Sequence, residues 1–592
     1  MLVILIVVLL ISFLLWKAVR DPQRQLTKDN KKDEEVTREA SLYVESCNFR
    51  LIYFTTAVSS PVREWKEDSN LIVKFKHIEQ PLNVSIMSSL KATSFPPDST
   101  GFSIVQMLNT KASKKETMIH PMEQSDIDNV FMQAILKGQD GERIVTWDDE
   151  QRQVLALSSK ESCNILNLDA GAGTGKTTTM CASMATFLQG KRENGLVIAT
   201  ACTNAAVVQI AETLDKFIQY KKHVRIIRFA SVKKAGKAPF DIQELIMKHI
   251  VNLPNLSPAG ETWVNSFVHA YDCVKKRLKA TKQNRVKYAE ELDNCAEATR
   301  ALTSLLLSVY RPSVICCTLS TLLNNTKSND AFNNFVNTKK HQTIWVDESS
   351  QVPAKAILVL STIFPTATQR YVGDPRQLPP YCEQEWKPIK GVSSLLYTNL
   401  TIPRLTLRLC RRMHPSITDM VSFLFYQGTL KAAVLPIERS LFSQFAFPKK
   451  EVPIQILNIN GESTKVGTSL VNNAEATESV RLAERIMKHG KIKADQICII
   501  CFYKAQLELL DKKKLPYTLM TVDSVQGKEY EVVILLTTRT EGSGDFISDK
   551  KRVNVAMSRA REALFILGHH SYLASLPLWK KCINYAKKEG IL

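Results

Sequence analysis

The sequence has no internal repeat and no long low-complexity tract over its 592 residues. A composition of 44% hydrophobic and 23% charged residues also differs from that of disordered or fibrous chains and is typical of a globular protein. Because one hydrophobic core seldom serves so many residues, the length predicts about three or four structural units. A single small binding module is excluded.

The cysteine pattern excludes a disulfide-stapled secreted domain. The 13 cysteines are odd in number and lack the regular spacing of a disulfide framework, which indicates reduced thiols in an intracellular protein. Cys498 and Cys501 form a C-x-x-C pair within the apolar run 497–502, but no second pair or histidine cluster lies nearby. We therefore predict buried strand residues there and no zinc site.

Acidic residues are too few to balance the basic ones. There are 78 Lys and Arg against 58 Asp and Glu, which gives a net charge of +20. Such a surface attracts polyanions, so the partner class is nucleic acid or acidic lipid.

The N-terminus carries a long apolar run, because residues 1–16 are apolar except for Ser12. As a helix this run would measure about 24 Å at about 1.5 Å per residue, which suits a thin membrane. It lacks the basic start of a cleaved signal peptide, and basic residues follow from Lys17 onward. We predict an uncleaved transmembrane anchor at 1–19, in a membrane such as the endoplasmic reticulum, with the large C-terminal part of the chain in the cytosol. The alternative is a buried N-terminal helix in a cytoplasmic protein.

The composition and the pattern of apolar residues then change along the chain. Residues 20–44 are charged, as in a linker, and 45–135 carry short β-branched runs between Pro and Ser clusters, which predicts a small β-rich domain. From about 142 to 567, apolar strand-like runs alternate with longer helical stretches, which predicts an α/β fold around parallel sheets. The stretch at about 240–310 is helix-rich and has the character of an insertion.

A phosphate-binding loop lies between a predicted strand at 165–168 and a predicted helix from Thr178. Its glycines let backbone N–H groups converge on phosphate oxygens, Lys176 neutralises the β and γ phosphates, and the Thr177 hydroxyl can ligate Mg²⁺. The first motif position is Ala170 instead of glycine. A merely flexible glycine loop is the alternative, but it would not need Lys-Thr here. The predicted nucleotide-binding residues of this loop are Gly171, Gly173, Thr174, Gly175, Lys176, Thr177 and Thr178.

Two adjacent acids follow the apolar run 343–346. Strand ends in such sheets face the ligand crevice, so Asp347 can hold Mg²⁺ while Glu348 positions and deprotonates the attacking water. Taken alone, an Asp-Glu pair is usually a solvated turn. After a buried strand and downstream of a phosphate-binding loop, the catalytic interpretation is favoured.

Asp-Glu-Ser-Ser-Gln at 347–351 and Gly-Asp-Pro-Arg-Gln-Leu-Pro-Pro at 373–380 resemble motifs II and III of superfamily 1 helicases. The group is that of the up-frameshift RNA helicases of nonsense-mediated decay and relatives such as senataxin. Its other motifs follow in order, and two further stretches at 425–428 and 467–476 also resemble it. They are the Q motif at 147–151, motif Ia at 203–207, motif IV at 412–415, motif V at 522–529 and motif VI at 554–561. The zinc domain of the up-frameshift helicase is not found, and the apolar segment stands in its place.

This resemblance implies two RecA-like P-loop lobes, at 136–398 and 399–575, followed by a C-terminal helix or tail at 576–592. It also implies that the β-rich segment is the barrel called domain 1B and that the helical insertion is domain 1C. ATP and Mg²⁺ would bind between the lobes.

The resemblance also implies roles for single residues. Gln151 would read adenine, Gln377 would sense the γ-phosphate, and Glu529 would contact the ribose. Arg412 and Arg559, from the second lobe, would neutralise charge on the γ-phosphate. The aromatic residue that usually stacks on the base is Arg411 here; a guanidinium can also stack on a π face.

Nucleic-acid contacts are expected in motifs Ia and V, around Thr203, Asn204 and Asp523. The insertion also carries a basic run at 274–287, beginning with Lys275 and Lys276, that could face a phosphate backbone. The alternative is a solvated helix face.

The function implied is an ATP-dependent helicase or translocase, acting as a monomer on single-stranded nucleic acid, with RNA favoured over DNA and 5′ to 3′ movement. A groove that binds the backbone and stacked bases of a single strand gives no sequence signal that separates RNA from DNA, so that choice stays open. An ATP-gated clamp that scaffolds a ribonucleoprotein at a membrane needs the same ATP site. A small-molecule kinase would not need motifs III, V and VI.

Overall fold

A computed structural model of the protein describes most of the residues from 133 onward and a short hairpin before them. The described residues are 36–46, 49–59, 133–137, 141–158, 160, 163–191, 194–217, 222–234, 236, 238–276, 285–380, 402–443, 445–489 and 492–592. The predicted anchor at 1–19 and most of the predicted β-rich domain lie outside these ranges. Of the helices within them, none has the length and apolarity needed to cross a bilayer.

The chain divides into two compact units. The first comprises Met1–Thr117, Lys355–Pro365 and Asn399–Thr401. Its described strands, β1 (Val36–Ser46) and β2 (Phe49–Ser59), pair antiparallel. The second unit comprises Met118–Ala354, Thr366–Thr398 and Ile402–Leu592, and it contains the two parallel sheets and the candidate site.

The first lobe is built on a seven-stranded parallel sheet in the order β11-β5-β10-β9-β6-β8-β7. Its strands are β5 (Ile165–Ala170), β6 (Gly195–Ala201), β7 (Ile226–Phe229), β8 (Val314–Thr318), β9 (His341–Asp347), β10 (Thr368–Gly373) and β11 (Arg404–Leu407). β5, β6, β8 and β10 are buried along their whole length, as expected for a parallel sheet covered on both faces. An antiparallel hairpin of β3 (Gln133–Lys137) and β4 (Glu142–Thr146) precedes this sheet.

Helices connect these strands, and three of them lie between β7 and β8. The connecting helices are α1 (Asp149–Ser158), α2 (Lys176–Lys191), α3 (Asn204–Asp215), α7 (Leu319–Ser328), α8 (Asp330–Asn337) and α9 (Ala354–Ile363). The three between β7 and β8 are α4 (Ile242–His249), α5 (Pro258–Lys276) and α6 (Arg285–Tyr310). They occupy the stretch for which a helical insertion was predicted.

The second lobe is a five-stranded parallel sheet in the order β14-β20-β19-β17-β18. Its strands are β14 (Ile454–Asn458), β17 (Ile497–Cys501), β18 (Thr518–Thr521), β19 (Tyr530–Leu536) and β20 (Ala560–Gly568). Four shorter strands form two separate pairs, β12 (Leu409–Cys410) with β13 (Lys431–Ala432) and β15 (Thr464–Val466) with β16 (Ser469–Val471). Its helices are α10 (Pro415–Phe425), α11 (Asn473–His489), α12 (Lys504–Asp511), α13 (Lys550–Met557), α14 (His570–Ser575) and α15 (Pro577–Glu589). Cys498 and Cys501 are buried in β17. Two parallel sheets confirm the predicted α/β class.

Two predicted boundaries need correction. The second lobe was expected to begin at 399, but β11 pairs with β5 in the first sheet, so the boundary lies after Leu407. The residues at 576–592 were set apart from the second lobe, yet Trp579 is buried in its core and donates a hydrogen bond to the Ile547 carbonyl at 2.9 Å. Helix α15 is therefore part of that lobe.

Candidate nucleotide-binding site

The phosphate-binding loop joins the buried strand β5 to the start of α2 at Lys176. Gly173 and Gly175 have φ angles of +71° and +80°, a conformation that favours glycine. A Cβ atom on Gly173 would lie 2.6 Å from the Cβ of Arg412, which is on the second lobe. Glycine is therefore needed here both for the turn and for close approach of the two lobes.

The acid pair lies at the end of β9, beside the loop. Thr177 Oγ1 donates to Asp347 Oδ2 at 3.4 Å, and Lys176 Nζ lies 3.8 Å from Glu348 Oε1. Glu348 has a φ of 50°, and its amide donates to Asp347 Oδ1 at 2.8 Å. This turn separates the two carboxylates, so that one faces Thr177 and the other faces Lys176.

Their surroundings shift the pKa values of the two carboxyl groups in opposite directions. Burial, with the neighbouring Glu348 charge, raises the pKa of Asp347 to about 6. Burial also opposes ionisation of Glu348, but the charge of Lys176 and a hydrogen bond from Gln526 outweigh it and hold the pKa of Glu348 below its usual value. Gln526, in motif V on the second lobe, donates from Nε2 to Glu348 Oε2 at 3.0 Å.

A buried tyrosine, Tyr426, joins the phosphate-binding loop to motifs III and VI. Its hydroxyl donates to the Asp374 carboxylate and accepts hydrogen bonds from the Ala172 amide at 3.2 Å and from Asn554 Nδ2 at 3.0 Å. Gln377 Nε2 donates to the same carboxylate at 3.0 Å. We call Tyr426, Asp374, Ala172 and Asn554 the tyrosine hub; it fixes the second lobe to the loop.

Arg559 is 2% exposed and lies against Gln377. Its Nη2 donates to Gln377 Oε1 at 3.5 Å, while its Nε donates to the Val555 carbonyl at 2.9 Å. Burial first, and then the nearby Arg412 charge, lower the pKa of Arg559 to about 9. The structure thus brings together two residues that the sequence resemblance placed at the γ-phosphate.

Arg412 and Glu529 form an ion pair, with Arg412 Nε donating to Glu529 Oε2 at 2.6 Å. Arg561 Nη1 donates to the other oxygen of Glu529 at 3.1 Å. Burial opposes ionisation of this carboxyl group, but Arg412 leads the interactions that hold its pKa below the usual value. The predicted ribose contact, Glu529, therefore already orients two arginines.

The Q motif and Arg411 are neighbours. Gln151 is buried, its Nε2 donates to Thr179 Oγ1 at 3.1 Å, and its amide donates to Asp148 Oδ1 at 2.8 Å. Arg411 Nη2 donates to the other oxygen of Asp148 at 2.6 Å. The arginine that replaces the usual aromatic residue is thus held next to the predicted adenine position.

The predicted nucleic-acid residues lie outside this cluster. Thr203 and Asn204 are exposed at the end of β6, where Thr203 caps α3 by accepting from the Ala206 amide at 3.2 Å. Asp523 accepts from Arg552 Nε at 3.1 Å. All three remain candidates for such contacts.

The basic run of the insertion is partly neutralised. Lys275 Nζ lies 2.6 Å from Glu244 Oε1, and Lys276 Nζ lies 2.6 Å from Asp272 Oδ2. Most of the remaining run, 277–284, lies outside the described residues. Lys275 and Lys276 therefore have acidic partners within the insertion.

Four members of the site were not expected from the sequence. Tyr426 lies in the stretch 425–428, whose resemblance to the helicase group was noted without a role. Gln526 and Asn554 lie inside motifs V and VI. Arg376 of motif III makes a two-point contact with Asp169, at 2.8 and 3.3 Å. Motif membership was the available signal for Gln526, Asn554 and Arg376, and the resemblance of the stretch 425–428 was the signal for Tyr426.

Known proteins that are similar to this chain include proteins named as helicases. A family profile described as an AAA domain matches residues 393–571. An uncharacterized ATP-dependent helicase of Caenorhabditis elegans is 33% identical over 263 residues, which is 42% of this chain and 17% of that protein. The regulator of nonsense transcripts 1 homolog of Drosophila melanogaster is 26% identical over 467 residues, 75% of this chain and 36% of that protein.

The 5′-3′ DNA helicase ZGRF1 of Mus musculus is 31% identical over 267 residues, 43% of this chain and 14% of that protein. A solved structure, the arterivirus nonstructural protein 10 helicase, aligns with 74% of this chain and 70% of its own at 12% identity and a TM-score of 0.32, too low to bear on function. The chain spans about a third or less of the length of these three curated relatives. The chain is therefore similar to proteins named as helicases and as regulators of nonsense transcripts.

Proposed function

We propose that the protein is an ATP-driven helicase that translocates on single-stranded nucleic acid. The observation that carries this proposal is the direct contact between the predicted catalytic base of the first lobe and motif V of the second. Gln526 Nε2 donates to Glu348 Oε2 at 3.0 Å, and Gln526 is three residues from Asp523, a predicted nucleic-acid residue. The predicted base Glu348 is thereby linked through one short segment to a predicted nucleic-acid contact.

The residues present fit ATP with a magnesium ion. Thr177 and Asp347 offer adjacent oxygens, and the burial that raises the pKa of Asp347 to about 6 marks a carboxylate whose charge a bound cation would balance. Mg²⁺ would supply charge neutralisation at the β and γ phosphates. Lys176 and the amides of the glycine loop would hold the same phosphates.

Hydrolysis needs an ionised base and positive charge at the γ-phosphate. The lowered pKa of Glu348 keeps its carboxylate ionised near neutral pH, so it can accept a proton from the attacking water. Arg559 and Arg412, both on the second lobe, would neutralise the charge that develops on the transferred phosphoryl group. Because they come from the second lobe, hydrolysis requires the lobes to be closed.

The names of two relatives support the polarity and the nucleic acid that we propose. One relative is named a 5′-3′ DNA helicase and others are named regulators of nonsense transcripts, so we assign this chain 5′ to 3′ movement and favour RNA. The net charge of +20 supports a polyanionic partner.

Residues 1–19 remain our proposed membrane anchor, on the strength of their apolar sequence. Partition of the full-length protein and of a chain starting at Asp21 during alkaline carbonate extraction tests that anchor.

Steady-state ATP hydrolysis by the full chain, with and without matched single-stranded RNA and DNA, tests the proposed activity. We expect nucleic acid to stimulate hydrolysis, and RNA to do so at lower concentration than DNA. A rate that neither strand changes would contradict the proposal. Equal stimulation by both strands would contradict only the RNA preference.

A further inference from the structure

Three potential metal ligands meet between helices α5 and α6 of the insertion, away from the nucleotide site. His269 and Cys273 are one helical turn apart on α5, and Glu291 lies on α6. One ligand atom of each lies within 4.8 Å of the other two. Residues four apart share a helix face, so the two α5 side chains point to the same side.

Glu291 has the environment of a metal ligand. It is 8% exposed, and its Oε2 has no hydrogen-bond partner among the described residues. Its Oε1 lies 3.9 Å from His269 Nε2. A buried carboxylate oxygen left without a partner is costly, and a metal bond would remove that cost.

We propose that His269, Cys273 and Glu291 bind a zinc ion. The donor set of imidazole nitrogen, thiolate sulfur and carboxylate oxygen is one that zinc accepts, and one thiolate with one carboxylate would neutralise its two charges. Zinc bonds of about 2.0–2.3 Å in a tetrahedron place ligand atoms roughly 3.3–3.8 Å apart, so small side-chain rotations suffice. His269 is exposed, which leaves the fourth position open to water.

An ion pair between His269 and Glu291 is the simpler explanation of the same contact. At 3.9 Å that pair engages only Oε1, and it gives no role to Oε2 or to the adjacent thiol. A zinc ion uses all three side chains and ties α5 to α6. No zinc site was expected from the sequence, because the third ligand comes from a different helix and the C-x-x-C pair lies buried in β17.

Zinc content of the full chain tests this inference. The purified protein would be given equimolar zinc, desalted and measured by mass spectrometry of the metal, with cobalt substitution as a second measurement. We expect about one zinc ion per chain and a thiolate-to-cobalt charge-transfer band. Cys273→Ser should lose both, and Glu291→Gln should lose most of the zinc.

Cys202→Ser is the matched control, because Cys202 and Cys273 are the two partly exposed cysteines among the described residues with free thiols. It should keep both the zinc and the cobalt band. Unfolding curves in chelator should be the same for the control and the two site variants, which separates loss of a ligand from loss of the fold. Wild-type protein without zinc, or full zinc content in both site variants, would overturn the inference.

Discussion

Replacing Tyr426 by Phe isolates the contribution of the tyrosine hub. The change removes one hydroxyl and leaves the buried ring in place. Asn554 would keep its hydrogen bond to the Arg376 carbonyl at 2.8 Å, and Asp374 would keep the one from Gln377 at 3.0 Å. The buried Ala172 amide would lose the partner that the structure gives it.

The magnitude follows from that single loss. A buried N–H group left without a partner costs about 1–3 kcal/mol. Because the N–H belongs to the phosphate-binding loop and the hydroxyl to the second lobe, the cost falls on the state in which the lobes are joined. A coupling energy of that size corresponds to a change of about 5–150-fold, so we expect kcat/KM for ATP to fall by that factor.

Nucleic-acid-stimulated ATP hydrolysis across a range of ATP concentrations measures this effect. Tyr585→Phe is the matched control, since Tyr585 is a partly exposed tyrosine on α15 of the same lobe, outside the tyrosine hub. That variant should retain wild-type kinetics. If Tyr426→Phe is folded and stays within twofold of wild type in kcat/KM, the reasoning about the hub is refuted.

Three further predictions concern single side chains. Glu348→Gln should bind ATP normally but lower the hydrolysis rate by about 10²–10⁴-fold, because the amide keeps the volume and loses the base; phosphate release beside a nucleotide titration measures both, and near-normal turnover would remove Glu348 from that role. Lys176→Ala should weaken ATP binding itself, measured by the same titration, and unchanged affinity would argue against the phosphate-binding loop. Burial raises the pKa of Glu475 from 4.5 to about 8, so the folded chain holds a proton that the unfolded chain releases, and the stability contribution of this group falls as pH rises between those values. The free energy of unfolding of Glu475→Gln relative to wild type should therefore rise with pH across that window in denaturant titrations, and a pH-independent difference would contradict the assignment.

The chemistry of the first lobe could be predicted because it lies in local patterns. A buried strand, a glycine loop and a helix occur within 165–191, and Asp347 and Glu348 follow directly on an apolar strand. The motif resemblance placed Arg559 and Gln377 each at the γ-phosphate, and the structure places the two side chains 3.5 Å apart.

The tyrosine hub could not be predicted, since its members come from four distant parts of the chain and meet only when two sheets and α10 have packed. The lobe boundary also depends on pairing between distant segments, because β11 pairs with β5. Strand β11 has four residues, and three of them are only partly buried, so it lacks the apolar run that marked the other strands. The acidic partners of Lys275 and Lys276 likewise depend on side-chain positions within the insertion.

Strand displacement tests the central claim most directly. The substrate is a duplex with a single-stranded 5′ tail, and the full chain is added with ATP and magnesium. We predict displacement by the wild type that depends on ATP, none by Glu348→Gln, and none from a duplex with a 3′ tail only. A wild-type protein that hydrolyses ATP on these substrates and leaves every duplex intact would contradict the account.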